Sequence, residues 1–158
     1  MKRLNYFSLL FFILISQLAG LIGAVATTPA IRNWYVYLNK PFFTPPNWIF
    51  APVWTLLFLL MGISASLVYQ KGLFRKEVKK ALYFFIIQLT LNILWSYLFF
   101  GYKLLFVAFI EIVVLWFFIF LTLKSFYKVE KISGLLMIPY LLWVSFASFL
   151  NLAVFLLN

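Results

Sequence analysis

The sequence predicts an all-α integral membrane protein: a five-transmembrane-helix bundle with a short helix in the first extracytoplasmic loop. Three observations carry this. The chain is 66% hydrophobic and 10% charged, with mean hydropathy +1.08 over 158 residues. A water-soluble fold of that size could not hide so much apolar surface, so its solvent must be lipid. The apolar residues fall into five runs of roughly 20, each long enough to cross ~30 Å of hydrocarbon. The charges stand between the runs, where they orient spans; the net +10 therefore points to topology and not to a nucleic-acid partner.

The first run extends from Leu4 to Ala26 behind Lys2 and Arg3. Ala24-Val25-Ala26 resembles a cleavage site, but the run is too long for a signal-peptide core and is read as a retained span. Its Ala19/Gly23 and Gly20/Ala24 pairs let a neighbouring backbone approach closely, as bundle packing or a dimer seam would need. Thr28 as a cap and Pro29 at the first helical position then start a short loop helix. Its apolar face is Ile31, Trp34, Tyr35 and Leu38. Pro45-Pro46 stiffens the entry to the second span, Asn47 to Gln70, where Pro52 falls in the first turns and its missing N–H costs little. Gly62 and Ser66 form another small pair.

The third span covers about Val78 to Phe100, and the short Gly101-Tyr102-Lys103 connection makes it an antiparallel neighbour of the fourth, about Leu104 to Ser125. The fifth fills about Ile132 to Leu157, with a kink expected at Pro139 because the Leu135 carbonyl loses its donor. Residues 1–158 form one domain without a linker or low-complexity segment. Lys2, Arg3, Lys71, Arg75, Lys76, Lys79, Lys80, Lys124, Lys128 and Lys131 fall on one side, and only Arg32, Lys40 and Lys103 on the other. That asymmetry places the N-terminus in the cytoplasm and the first loop and Asn158 outside.

Depth then selects a site. At 1.5 Å per residue, Trp54, Asn92, Glu111 and Asn151 all lie about 10–12 Å below the outer face, on four different helices. Gln88 and Trp143 lie deeper. Gln88, Asn92, Trp95 and Phe99 share one face of the third span, and Tyr140, Trp143, Ala147 and Asn151 one face of the fifth. These faces can converge on an outward-opening, aromatic-walled cavity with a few polar groups. Gln88, Asn92 and Asn151 are also suited to plain hydrogen bonding between helices. Trp34, Trp48 and Trp116 suit an interfacial belt. Glu111 is the one acid well inside a span, and such residues mark function by default. With no histidine and no cysteine, disulfides, thiolate metal sites and the commonest general base are excluded, and no metal site is expected.

The chain resembles the tryptophan-rich sensory protein (TspO/MBR) family, whose animal members are the translocator protein or peripheral benzodiazepine receptor. The matching blocks are Trp34-Tyr35…Leu38-Asn39-Lys40-Pro41…Pro45-Pro46-Asn47-Trp48…Phe50…Pro52-Val53-Trp54-Thr55, then Gln88-Leu89…Leu91-Asn92…Trp95-Ser96…Phe99-Phe100-Gly101, then Pro139-Tyr140…Trp143…Phe146-Ala147…Leu150-Asn151. The resemblance covers nearly the whole chain. It implies five helices, a homodimer in many members, and binding of porphyrins (protoporphyrin IX, haem) and benzodiazepine-type molecules beneath the first loop. By motif the lining would be Tyr35, Trp54, Phe58, Asn92, Trp95, Phe99, Glu111, Trp143, Ala147 and Asn151, with Gln88 on the same face as Asn92. Phe58 stands where many relatives have tyrosine, and the basic tail that carries the cholesterol motif in animal members does not follow Asn151, so cholesterol is not the expected ligand.

No cofactor is required by this reading; porphyrin is the expected ligand. Its carboxylates would sit near Arg32, Lys40 or backbone N–H groups at the outer end. Without histidine or cysteine, axial ligation of haem would fall to tyrosine or methionine, so metal-free porphyrin should bind at least as well as haem. Three classes remain: a receptor, sensor or transporter for hydrophobic ligands, an enzyme that degrades porphyrin with Trp54 and Trp143 as the reactive pair, and a structural subunit of a membrane assembly. No acid–base constellation supports ordinary catalysis. The expected location is a bacterial cell membrane, with lipid and a hydrophobic small molecule as partners.

Overall fold

A computed structural model describes residues 5–158; Lys2 and Arg3 lie outside them. Among the described residues the fold is all-helical, with five stretches long and apolar enough to span a membrane. They are α1 (Tyr6–Asn33), α2 (Asn47–Tyr69), α3 (Lys76–Ser96) running on as a π turn (Tyr97–Gly101), α4 (Leu105–Val129), and the pair α5 (Lys131–Leu136) and α6 (Ile138–Leu157). A single 3₁₀ turn, Tyr35–Tyr37, lies in the first loop.

Two local expectations are corrected. Thr28 and Pro29 do not start a separate helix: α1 continues through both to Asn33, and the loop helix shrinks to the 3₁₀ turn. A proline removes one donor but leaves the following turn intact when both sides pack. Ala30, one residue on, is buried, and its carbonyl accepts the Trp34 N–H at 3.0 Å to close the helix. The helix start instead lies at Asn5, whose side chain accepts from the N–H groups of Phe7 and Ser8 at 3.0 and 3.2 Å. The second correction is the end of the third span. The chain does not leave an ordinary α-helix there: it widens into a π turn, the Tyr102 N–H donating to the Tyr97 carbonyl at 2.7 Å. Lys103, at φ +60°, then reverses the chain. The expected break at Pro139 occurs as a division between α5 and α6 at Met137, with Pro139 in the first turn of α6, where it lacks nothing a helix start would use.

The helices pack in a ring. α1 lies against α2 and α3, α3 against α4, and α4 against α6, while α5 closes on α2 and α4. Ser64 donates to the Ser133 carbonyl at 2.7 Å across the α2–α5 contact. α1 and α2 approach closely at Gly62, where a Cβ would stand 2.5 Å from the Ile13 Cα. The turns between α2 and α3 and between α4 and α5 share one face and are joined by a Lys71–Glu130 ion pair. Lys71 holds the Glu130 carboxyl below the usual carboxylate range. The first loop, the α3–α4 turn and the end of α6 occupy the opposite face. Asn39 and Asn158 hydrogen-bond reciprocally there, at 3.0 Å and 2.8 Å.

Candidate functional site

The loop-side half of the bundle contains a cavity of about 320 Å³, within the range of small-molecule sites. Each wall follows from local sequence. Prolines 45 and 46 bring the chain into α2 at a fixed angle, and Phe50, Trp54 and Phe58 then recur every four residues on its inward face. On α3, Asn92, Trp95, Phe99 and Phe100 line the same space, the last two from the π turn. Trp143, Ala147, Leu150 and Asn151 line it from α6, and Tyr35 closes the loop side.

The rings form a continuous surface. Trp54 meets Trp143 edge-on with centroids 6.5 Å apart, and Phe58 at 5.7 Å. Phe50 meets Trp143 at 6.2 Å, and Trp95 stacks on Phe99 at 5.2 Å. Such arrangements leave ring faces available for another flat π-system. Tyr35 is buried against Phe50, Phe99 and Phe100, and burial pushes its phenol pKa up to about 12, so it stays neutral. The Lys40 ammonium donates to the carbonyls of Tyr35, Val36 and Leu38 at 2.9, 3.3 and 2.9 Å. All three of its N–H donors are thus engaged in shaping the loop.

The polar side chains prove to be both lining and inter-helix ties. Asn92 Nδ2 donates to the Tyr140 hydroxyl at 2.8 Å, and Trp95 Nε1 to Asn151 Oδ1 at 3.1 Å. Asn151 Nδ2 in turn donates to the Leu105 carbonyl at 2.9 Å, tying α6 to the start of α4. Of the residues singled out from sequence, Tyr35, Trp54, Phe58, Asn92, Trp95, Phe99, Trp143, Ala147 and Asn151 come together around the cavity. Gln88 and Glu111 do not line it. Gln88 is fully buried one turn deeper, its amide nitrogen 3.6 Å from the Met61 sulfur. Glu111 is buried on α4, which contributes no side chain to the lining because α3 and α6 stand in front of it. Neither carboxylate oxygen of Glu111 has a hydrogen-bond partner among the described residues.

Sequence reasoning missed the α1 wall. Gln17, Gly20, Gly23, Ala24, Thr27 and Ile31 all face the cavity. Their signal was the small-residue stripe at Gly20, Gly23, Ala24 and Thr27, spaced i, i+3, i+4, i+7. A stripe of that kind either admits a neighbouring backbone or leaves a void. Here the Phe58 ring and Ser96 hydroxyl come against Gly20 and Gly23, where a Cβ would stand 2.7 Å and 3.0 Å from them, and the remainder stays open.

Comparison with known proteins identifies the family. Residues 12–157 match the TspO/MBR family. The chain is 43% identical over 139 residues to the tryptophan-rich protein TspO of Chlorobaculum tepidum, covering 88% of each chain. It is 41% identical over 155 residues to the tryptophan-rich protein TspO of Archaeoglobus fulgidus, covering 98% of this chain and 99% of the relative. It is also 34% identical over 141 residues to the translocator protein of Bos taurus, covering 89% and 83% respectively. A five-helix apolar bundle whose aromatic blocks enclose one loop-side cavity, with these relatives along almost its entire length, belongs to the TspO/MBR family of integral membrane proteins.

Proposed function

We propose that the protein is a membrane receptor or carrier for flat, hydrophobic tetrapyrroles such as protoporphyrin IX, held in the loop-side aromatic cavity. The observation that carries this reading is the wall made by Trp54, Trp95, Trp143, Phe50, Phe58 and Phe99 around about 320 Å³ of space. A macrocycle would stack on these rings, with Asn92 on one wall offering a polar contact. Benzodiazepine-like aromatic molecules would use the same surface. The carboxylates of the porphyrin would lie at the loop end. Arg32, exposed at the end of α1, is the better partner there, because the Lys40 donors are engaged by loop carbonyls. In this reading the loop face is extracytoplasmic and the basic face cytoplasmic.

Haem iron would find neither histidine nor cysteine in this chain, so metal-free porphyrin should bind at least as tightly as haem. The test is equilibrium quenching of tryptophan fluorescence by protoporphyrin IX in lipid nanodiscs. Saturable, reversible quenching weakened by Trp143→Ala is the expected outcome. Light-dependent consumption of the porphyrin would replace binding with degradation as the activity. Absence of saturable quenching would overturn the reading.

A further inference from the structure

Resting on that reading of the cavity, we propose that its ligand enters and leaves sideways from the acyl-chain layer. The route is the seam between α1 and α2, and the first loop is a fixed roof. Two sets of contacts argue for this. The roof is fastened to the bundle at two places and braced within itself: the reciprocal Asn39–Asn158 hydrogen bonds tie it to the end of α6. Lys40 gathers the three loop carbonyls, and Tyr35 is buried among rings of α2 and the π turn. Lifting it would break the Asn39–Asn158 bonds and expose Tyr35 together.

The seam is built differently. Leu21 and Thr28 of α1 and Asn47, Ala51 and Thr55 of α2 line the cavity and are at the same time exposed. A residue with both properties marks a place where the wall is one side chain thick. Leu21 is 66% exposed and sits about 18 Å along α1 from its loop end, while Thr55 sits about 12 Å into α2. Thr28 and Asn47 carry the opening up to the loop ends of the two helices, but the depths of Leu21 and Thr55 fall within the apolar spans, so the deeper part of the slot faces lipid tails. Between Gln17 and Thr27, Leu21 is the one large side chain that α1 brings to the seam, and its inner stripe there is Gly20, Gly23 and Ala24. Its lower edge is a single strut: Gln17 Nε2 donates to the Thr55 carbonyl at 2.9 Å. A hydrophobic ligand already partitioned into the bilayer would meet this slot directly.

The chain has no cysteine, so a single introduced thiol reports access cleanly. Ala147→Cys places one on the cavity wall across from the seam. In nanodiscs, a membrane-partitioning alkyl maleimide should label it rapidly and a charged, membrane-impermeant thiosulfonate slowly. Adding Ala51→Phe, or Leu21→Trp at an already exposed position should the former not fold, should slow maleimide labelling by roughly tenfold or more. Adding Asn39→Ala with Asn158→Ala should leave both rates unchanged. Faster labelling by the charged reagent, or acceleration by the roof variants with no effect of the seam variants, would overturn the lateral route. This readout needs no porphyrin, so a failure to quench tryptophan would refute the ligand assignment while leaving the route tested on its own terms.

Discussion

The two halves of this bundle use the same residue types to opposite ends. In the half away from the first loop, small residues bring backbones together. Gly62 lets α2 touch the backbone of Ile13, and Ala65, Ser64 and Ser66 beside it are fully buried. The aromatic rings there fill space: Phe85 stacks on Phe126 at 6.0 Å and meets Phe12 at 6.3 Å, and Phe12 meets Tyr69 at 5.3 Å. In the loop-side half the small residues of α1 face side chains instead of a backbone, Gly20 the Phe58 ring and Gly23 the Ser96 hydroxyl, and the rings of α2, α3 and α6 line space without filling it. In lipid, helix association gains little from expelling apolar surface, so it depends on packing. A cavity therefore costs contact energy directly, and the packed half must supply the stability that the hollow half lacks.

The sharpest way to break that contrast is to enlarge a glycine in each half. Gly62→Val should abolish folding or lower stability severely, because its Cβ would stand 2.5 Å from the Ile13 Cα and 2.8 Å from its nitrogen, and two helix backbones cannot both shift cheaply. Gly20→Ala should cost less than about 1 kcal/mol, since the atom it meets at 2.7 Å belongs to the Phe58 ring, which has cavity to move into. Thermal unfolding in detergent checks both, and equal losses would show that the halves do not differ. Truncating rings comes next. Phe85→Ala should destabilise by roughly 3–5 kcal/mol, as a filled core does. Trp143→Ala removes a side chain that already borders empty space, so it should cost distinctly less while weakening porphyrin binding by at least about tenfold.

These contrasts also mark what the sequence made legible. Span number and order, the break at Pro139 and the aromatic faces of α3 and α6 could all be read, because hydropathy and a 3.6-residue period report directly on which side of a helix is buried; on α2, Trp54 was placed by depth and Phe58 only by the family resemblance. Pro29 misled because a proline marks a helix start only when nothing packs beyond it; Ala30 and Trp34 keep the turn closed. Glu111 was placed at the right depth but on the wrong wall. Depth follows from counting residues, whereas the direction a helix faces depends on which neighbours stand beside it, and α4 lies behind α3 and α6. The α1 wall was invisible for the same reason: a small-residue stripe does not declare what will face it.

Two smaller effects sharpen the comparison further. Asn92 belongs to the hollow half, yet it is bonded to Tyr140, which is fully buried. Asn92→Ala should leave the buried Tyr140 hydroxyl without a partner and cost about 1–3 kcal/mol. Tyr140→Phe removes that hydroxyl altogether and leaves an amide facing the cavity, where water or ligand can reach it, so it should cost less than the asparagine change. Unfolding midpoints of the two variants and their double mutant give the coupling between them. A greater loss from Tyr140→Phe would mean that Asn92 does not face open space.

The smallest expected effect lies at the outer edge of the packed half, where Lys71 meets Glu130. The lysine holds the Glu130 carboxyl below its ordinary range, chiefly through their hydrogen bond. A carboxylate depressed in the folded state stabilises it above the unfolded pKa of about 4.3 and loses that contribution as pH falls through the folded value. The pair stands at the surface and is screened, so Lys71→Met should cost under about 1 kcal/mol at pH 7. Below the folded pKa of Glu130 the variant and the parent should unfold at the same temperature. A loss at pH 7 comparable to that of Phe85→Ala would place the strength of this half in its charged turns and not in its interlocked rings and glycine contact. A loss near zero that does not vary with pH would show that the two turns are held side by side by the packing of α2 against α5 alone.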